Sequence, residues 1–195
     1  MNLTPRGQLY IVVVSALGLL VVGHCISRLL AEPIGWEWAV LAGLTLLSGS
    51  FTVRVPSFQA RISVSETFVF TSVLLFGIPA GTLTVALDTL VAALSSRRRA
   101  REPLRVLFNL ASASLSIFCA GHVFYWLSGV DPLSQAPTRV PELLWPLVGM
   151  TSVHFLLNSG LVAAALSTER KESAFAIWLR IFPWLSINYF GGASV

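Results

Sequence analysis

The chain has 195 residues, of which 55% are hydrophobic and only 11% are charged, and its mean hydropathy is +0.77. Because soluble domains carry about a quarter charged residues, this composition excludes an ordinary soluble domain and predicts an integral membrane protein. Thirteen basic and nine acidic side chains give a formal charge of +4. In a soluble protein this charge would suggest nucleic-acid binding, but here the basic groups lie in connectors between apolar runs, where membrane topology accounts for them.

Apolar runs separated by polar connectors predict an all-α fold, a polytopic transmembrane helix bundle of about six to seven spans in a single domain over residues 1–195. The first run is too long for the core of a signal peptide, so we expect it to be a spanning helix. Residues 52–65 alternate β-branched and polar side chains around Pro56, which predicts a short hairpin-like loop. The predicted helices cover residues 9–30, 36–51, 64–76, 80–95, 107–127, 143–166 and 174–195.

Basic side chains concentrate in every second connector. If successive connectors lie on opposite sides of the membrane, most of the arginines share one side, and the positive-inside rule then places the N-terminus in the cytoplasm. The densest group has no aromatic residue among its arginines, which argues against nucleic acid. We interpret this group as a topology determinant with anionic lipid headgroups as counter-charge; it comprises Arg97, Arg98, Arg99, Arg101 and Arg105.

Two carboxylates in apolar segments are the first candidates for function, because ionisable groups at membrane depth are costly. Asp88 lies in the middle of the fourth predicted helix, one turn after Thr84, and is either a ligand, cation or proton site or a hydrogen-bonded packing residue. Glu66 and Asp88 differ in depth by only about 5 Å at the helical rise. The two could share a cavity. The preferred alternative for Glu66 is a capping box with Ser63.

The sixth predicted helix carries a polar stripe of Thr151, His154 and Asn158 at one-turn spacing. Because lipid offers no hydrogen bonds, this stripe should face protein or a cavity. The three histidines lie on different helices without metal-ligand spacing, so packing or interhelical hydrogen bonding is preferred over ligation and no metal is predicted.

The fifth predicted helix has Asn109 at its basic end and a small-residue ridge of Ser112, Ser116 and Ala120. Such a ridge lets another backbone approach closely, either within the bundle, which is the preferred interpretation, or in a homodimer. No nucleophile-and-base motif or phosphate-binding loop occurs, so these residues alone are not predicted to form an enzyme.

Strings around the predicted helical hairpin resemble the N-terminal membrane regions of bacterial signalling proteins with cytoplasmic HD-GYP phosphohydrolase or GGDEF cyclase domains. Those regions share an S-[DE]-x-F-V-F start, an L-x-G-P-x-A-G turn, a helical acid and a later F-N pair. This chain departs by the insertion of Ile78 before Pro79. The likeness covers roughly residues 50–120, and its strings are 61–70 (RISVSETFVF), 74–81 (LLFGIPAG), 86–88 (ALD) and 108–109 (FN).

The resemblance implies a multi-pass sensory or anchor domain of the bacterial inner membrane, with any phosphohydrolase or cyclase domain beyond Val195. Together with the missing polar tail, it predicts that the chain is a fragment. The same hairpin is also similar to S-components of energy-coupling-factor vitamin transporters, which implies a solute-binding membrane subunit as the alternative. The expected partners are the bilayer, a small-molecule ligand and a second copy of the chain, with no cofactor. The candidate cavity residues are Glu66, Thr84, Asp88, Asn109, His154 and Asn158.

Overall fold

The computed structural model describes residues 5–50, 53–54, 61–62, 65–94, 103–133, 140–170 and 172–182. Within these residues the chain forms seven α-helices and one antiparallel pair of two-residue strands, which confirms the predicted all-α class. In chain order the elements are α1 (Pro5–Ala31), α2 (Trp36–Ser50), β1 (Val53–Arg54), β2 (Arg61–Ile62), α3 (Ser65–Phe76), α4 (Ile78–Leu94), α5 (Pro103–Ser128), α6 (Val140–Arg170) and α7 (Ala174–Ile181).

The two short strands lie in the segment where a hairpin-like loop was expected. Val53 pairs with Ile62 and Arg54 with Arg61 in antiparallel register. The pairing satisfies backbone groups locally, as a connector beside a membrane requires. Several other predictions fall outside the described residues: Ser63 of the capping box, Arg97, Arg98, Arg99, Arg101, and the last part of the seventh segment, 183–195.

Three of the described helices, α1, α5 and α6, are long and apolar enough to cross a membrane, and α2, α3 and α4 are shorter apolar helices. Their outer faces carry large apolar side chains: Leu20, Trp126 and Trp145 are 70%, 80% and 82% exposed. An apolar surface of this kind is unfavourable in water and favourable against acyl chains. The chain is therefore a membrane protein.

Helix α5 occupies the centre and packs against α1, α4 and α6, while α2 covers the α3–α4 pair and α7 packs on α6. The small side chains on α5 explain these close approaches, because Ser112, Ser116 and Ala120 are at most 1% exposed. On α1, Gly18 lies so close to Ala111 that a β-carbon would collide with it. The predicted ridge is thus buried within one chain.

Ring contacts fix the directions of the long helices. Tyr10 packs on Phe108 and His24 on Phe118, so α1 and α5 run parallel. A salt bridge of 3.2 Å from Arg105 to Glu169 joins the start of α5 to the end of α6. We call the end of the bundle that holds the starts of α1 and α5 and the end of α6 the basic end.

Helices α3 and α4 form the tight hairpin predicted from the Gly-Ile-Pro-Ala-Gly string. Gly77 joins them with a φ of 90°, a conformation that favours glycine. We expected residues 77–81 to form the turn, but α4 already begins at Ile78, because a proline such as Pro79 fits a first helical turn. Gly81 is therefore helical, and a β-carbon there would collide with Val73.

Candidate functional site

His154 and Glu66 connect α6 to α3 inside the bundle. The Nε2 atom of His154 lies 3.4 Å from Oε2 of Glu66, and the two side chains are only 1% and 20% exposed. One turn after Glu66, the Phe70 ring meets the imidazole edge to face, with centroids 5.6 Å apart. The imidazole of His154 on α6 therefore contacts two side chains of α3, Glu66 and Phe70. The strength of the acid–imidazole interaction depends on whether the imidazole carries its second proton.

Glu66 lies in the first turn of α3, where an acidic side chain suits the helix N-terminus. Its Oε2 atom is buried and accepts no hydrogen bond from the described residues. Because that atom faces His154, this part of the carboxylate is directed at α6 rather than at backbone N–H groups of its own helix. The capping box predicted for Glu66 involves Ser63, which lies outside the described residues, so that interpretation stays a prediction.

Asp88 on α4 belongs to the same region. Its carboxylate accepts a hydrogen bond from the Ser65 side chain and lies within electrostatic reach of Glu66. At the helical rise, Glu66 lies about 15 Å before the end of α3, and Asp88 lies about 15 Å after the start of α4. The two residues are therefore at a similar distance from the turn of the hairpin. The structure therefore brings both carboxylates and one imidazole together. We call Glu66, Asp88 and His154 the acid–histidine cluster.

A second polar group lies one turn from Asp88, between α4 and its neighbours α2 and α3. The Trp38 indole N–H donates a hydrogen bond of 3.1 Å to the Thr84 hydroxyl, which lies 3.2 Å from Ser72 Oγ and 2.9 Å from the Ala80 carbonyl. Thr84 and Ser72 are fully buried. Sequence reasoning did not include Trp38. The feature that could have identified Trp38 is its indole N–H, which needs a hydrogen-bond acceptor when it is buried.

The remaining predicted residues divide between two places. Asn158 is half-buried one turn after His154, and Thr151, one turn before it, is buried and donates a hydrogen bond to the Leu147 carbonyl of its own helix. Asn109 is exposed and lines a separate cavity at the basic end, together with Arg105. The candidate cavity residues thus do not form one site.

The acid–histidine cluster consists of ionisable groups, whose charge depends on protonation. Charged side chains are unfavourable in contact with lipid, so these groups need protein partners. No group of three His, Cys, Asp or Glu residues in the described part of the chain could hold a metal ion. Three groups on three different helices also tie the charge state to helix packing.

A scan against protein-family models finds no match to the chain, and searches of curated proteins and of solved structures find none either.

Proposed function

We propose that the chain is the sensory or anchor domain of a bacterial inner-membrane signalling protein, which couples a ligand or a membrane state to a cytoplasmic output domain. The observation that carries the proposal is the 3.4 Å contact between Glu66 and His154. It links two parts of the bundle through groups whose interaction changes with charge. A contact of this kind gives a membrane domain two packing states of different energy.

The packing of the bundle supports this role. Helix α3 packs extensively on α2 and α4, whereas α6 packs extensively on α5 and α7. Glu66 and Phe70 on one side and His154 on the other therefore bridge elements whose main partners lie elsewhere. Only a signal that interacts differently with the two packings can shift their populations, and a buried acid–imidazole contact between helices is a place where such a difference can arise.

The orientation in this proposal places the basic end in the cytoplasm. Arg6 in α1, Arg105 in α5 and Arg170 in α6 all belong to that end. Positive charge near the ends of spanning helices favours the cytoplasmic side. An output domain that follows the seventh segment would then need a further crossing to reach the cytoplasm.

The test uses the full-length gene product in its native membrane. Glu66→Gln and His154→Gln keep polar side chains and remove the charge-dependent contact, so we expect phosphohydrolase or cyclase output to change severalfold at unchanged protein level. Glu32→Gln, an exposed acid on a surface salt bridge, is the matched control and should leave output unchanged. Unchanged output in both cluster variants, or a reading frame without a cytoplasmic domain, would contradict the proposal.

The S-component-like alternative has one observation in its favour. A cavity of about 440 Å³ opens at the end of the bundle opposite the basic end, and its lining includes Arg28, Glu32, Tyr125 and Asp131. Side chains of both charges beside an aromatic ring suit a small zwitterionic solute. Binding of a labelled vitamin to the purified chain, lost in Asp131→Asn and retained in Glu66→Gln, would favour this function over sensing.

A further inference from the structure

A narrow cavity of about 210 Å³ lies at the basic end, where α1, α5 and α6 meet. Two kinds of side chain line it. Arg105, Asn109 and Glu169 supply polar groups, and both Arg105 and Asn109 are exposed. The other walls are apolar and come from all three helices: Ile11, Leu104, Phe108, Val162, Ala165 and Leu166.

The cavity is elongated along the helix axes. Val162 and Glu169 both line it, and they are about 10 Å apart along α6 at the helical rise. Nearby, the Tyr10 hydroxyl donates a hydrogen bond of 3.1 Å to the Leu161 carbonyl and holds α1 against α6. The polar groups therefore lie toward the helix ends, and the apolar walls continue toward the membrane interior.

Charge distinguishes this opening from a simple groove. Arg105 pairs with Glu169 at 3.2 Å, and its side chain remains 50% exposed. Arg6 and Arg170 are exposed at the same end. Among the described residues at this end, four arginines (Arg6, Arg105, Arg170 and Arg180) outnumber two glutamates (Glu169 and Glu172), which leaves a positive surface around an apolar slot. Basic pockets between spanning helices are typical binding places for anionic lipid headgroups.

We propose that this cavity binds one anionic phospholipid, with its phosphate at Arg105 and Asn109 and the upper part of one acyl chain between Phe108 and Val162. A water-soluble anion would gain nothing from the apolar walls. A zwitterionic lipid such as phosphatidylcholine also carries a phosphate, but its cationic choline group is repelled by the surrounding arginines, so an anionic lipid binds more tightly. The membrane leaflet follows from the orientation given under the proposed function, and the binding chemistry does not depend on it.

The test measures phospholipid retained per chain by native mass spectrometry, after reconstitution into nanodiscs of phosphatidylcholine with a minor fraction of phosphatidylglycerol in both leaflets. We expect the wild-type protein to retain one phosphatidylglycerol. Arg105→Gln with Glu169→Gln removes the guanidinium from the proposed phosphate site, keeps the net charge and leaves no unpaired acid. Retention should fall about fivefold. Ala165→Phe fills the slot without changing charge and should abolish retention.

Arg28→Gln with Glu32→Gln is the matched control, because it removes a similar exposed pair at the opposite end. Retention should not change in that variant. Unfolding temperatures of all variants in detergent report whether they fold. Equal retention of phosphatidylcholine, or full retention in both folded cavity variants, would overturn the proposal, as would displacement of the bound lipid by inorganic phosphate alone. Because this readout does not involve signalling output, its failure would leave the sensory proposal standing.

Discussion

The contact between His154 and Glu66 places an acid beside an imidazole in the interior of the bundle. His154 is fully buried, and the acid that faces it lies on a different helix. Removing one partner of such a pair leaves the other in surroundings that solvate it poorly, so the loss exceeds what an exposed pair would show.

A double-mutant cycle measures this coupling. We expect Glu66→Gln and His154→Gln to show an interaction free energy of about 1–3 kcal/mol in reversible unfolding from mixed micelles. The exposed Arg28–Glu32 pair provides the control cycle, for which about 0–1 kcal/mol is expected. If the interior pair couples no more strongly than the control, the linking role of the contact is wrong.

The Thr84 hydroxyl serves as an acceptor for Trp38. Thr84→Val keeps the shape of the side chain and leaves the indole N–H without this partner, which should lower the free energy of unfolding by about 1–3 kcal/mol. Thr71→Val is the matched control, since the Thr71 hydroxyl donates its hydrogen bond to the Thr67 carbonyl of its own helix. Equal stability of both variants would contradict the assigned hydrogen bond.

The sequence identified most of these polar residues and suggested that Glu66 and Asp88 share a cavity, but it did not pair either of them with His154. Asp88 and His154 are conspicuous because polar groups at membrane depth need partners. Which partner each one finds depends on the rotation of each helix about its axis, and an apolar helix embedded in lipid has little periodicity to reveal it. Glu66 was therefore interpreted as a local cap, whereas its Oε2 atom faces a helix almost ninety positions away.

At the scale of helices, close approach depends on particular glycines. The hairpin of α3 and α4 requires positive φ at Gly77 and the absence of a β-carbon at Gly81. Residues further along the chain hold the turn in place: the Tyr125 hydroxyl donates a hydrogen bond of 2.6 Å to the Val73 carbonyl, and the Leu133 N–H donates one to Leu74. These hydrogen bonds join the turn of the hairpin to the end of α5 and to the residues that follow it.

Alanine substitutions separate packing from helix propensity. Gly81→Ala should lower the free energy of unfolding by about 1–3 kcal/mol, because the new methyl group overlaps Val73 in a filled interior. Gly160→Ala in α6 meets nothing within 4 Å and should be neutral or stabilising. Both are measured by unfolding in the same micelles. A neutral Gly81→Ala would mean that α3 and α4 are further apart than described.

The sequence predicts where helices occur better than it predicts the residues at which they begin and end. The apolar runs correctly located the described helices, but α1 and α5 each begin four residues earlier than expected, at Pro5 and Pro103. Apolarity marks only the part of a helix that lies in hydrocarbon, and the polar first turns extend beyond it. Proline at the first helical position was the available signal.

At the scale of the whole molecule, a central helix lined with small side chains lets apolar helices pack without a large hydrophobic driving force between them. Lipid tails are as apolar as the helix surfaces, so association depends on close packing and interhelical hydrogen bonds. Composition alone predicted this membrane fold. The packing of the helices around α5 could not be predicted from composition, because the lipid-facing surfaces of α1 and α6 are as apolar as the surfaces that contact other helices.

The proposed bundle crosses the membrane with its basic end in the cytoplasm, and cysteine labelling tests this proposal most directly. In a background with Cys25 and Cys119 replaced by alanine, single cysteines at Asp131, Leu156 and Glu172 sample the opposite end, the lipid-facing middle of α6 and the basic end. In intact cells, a membrane-impermeant maleimide should label only the Asp131→Cys variant. The Glu172→Cys variant should be labelled only after the cells are opened. Labelling of Leu156→Cys from water, or of Glu172→Cys in intact cells, would contradict the account.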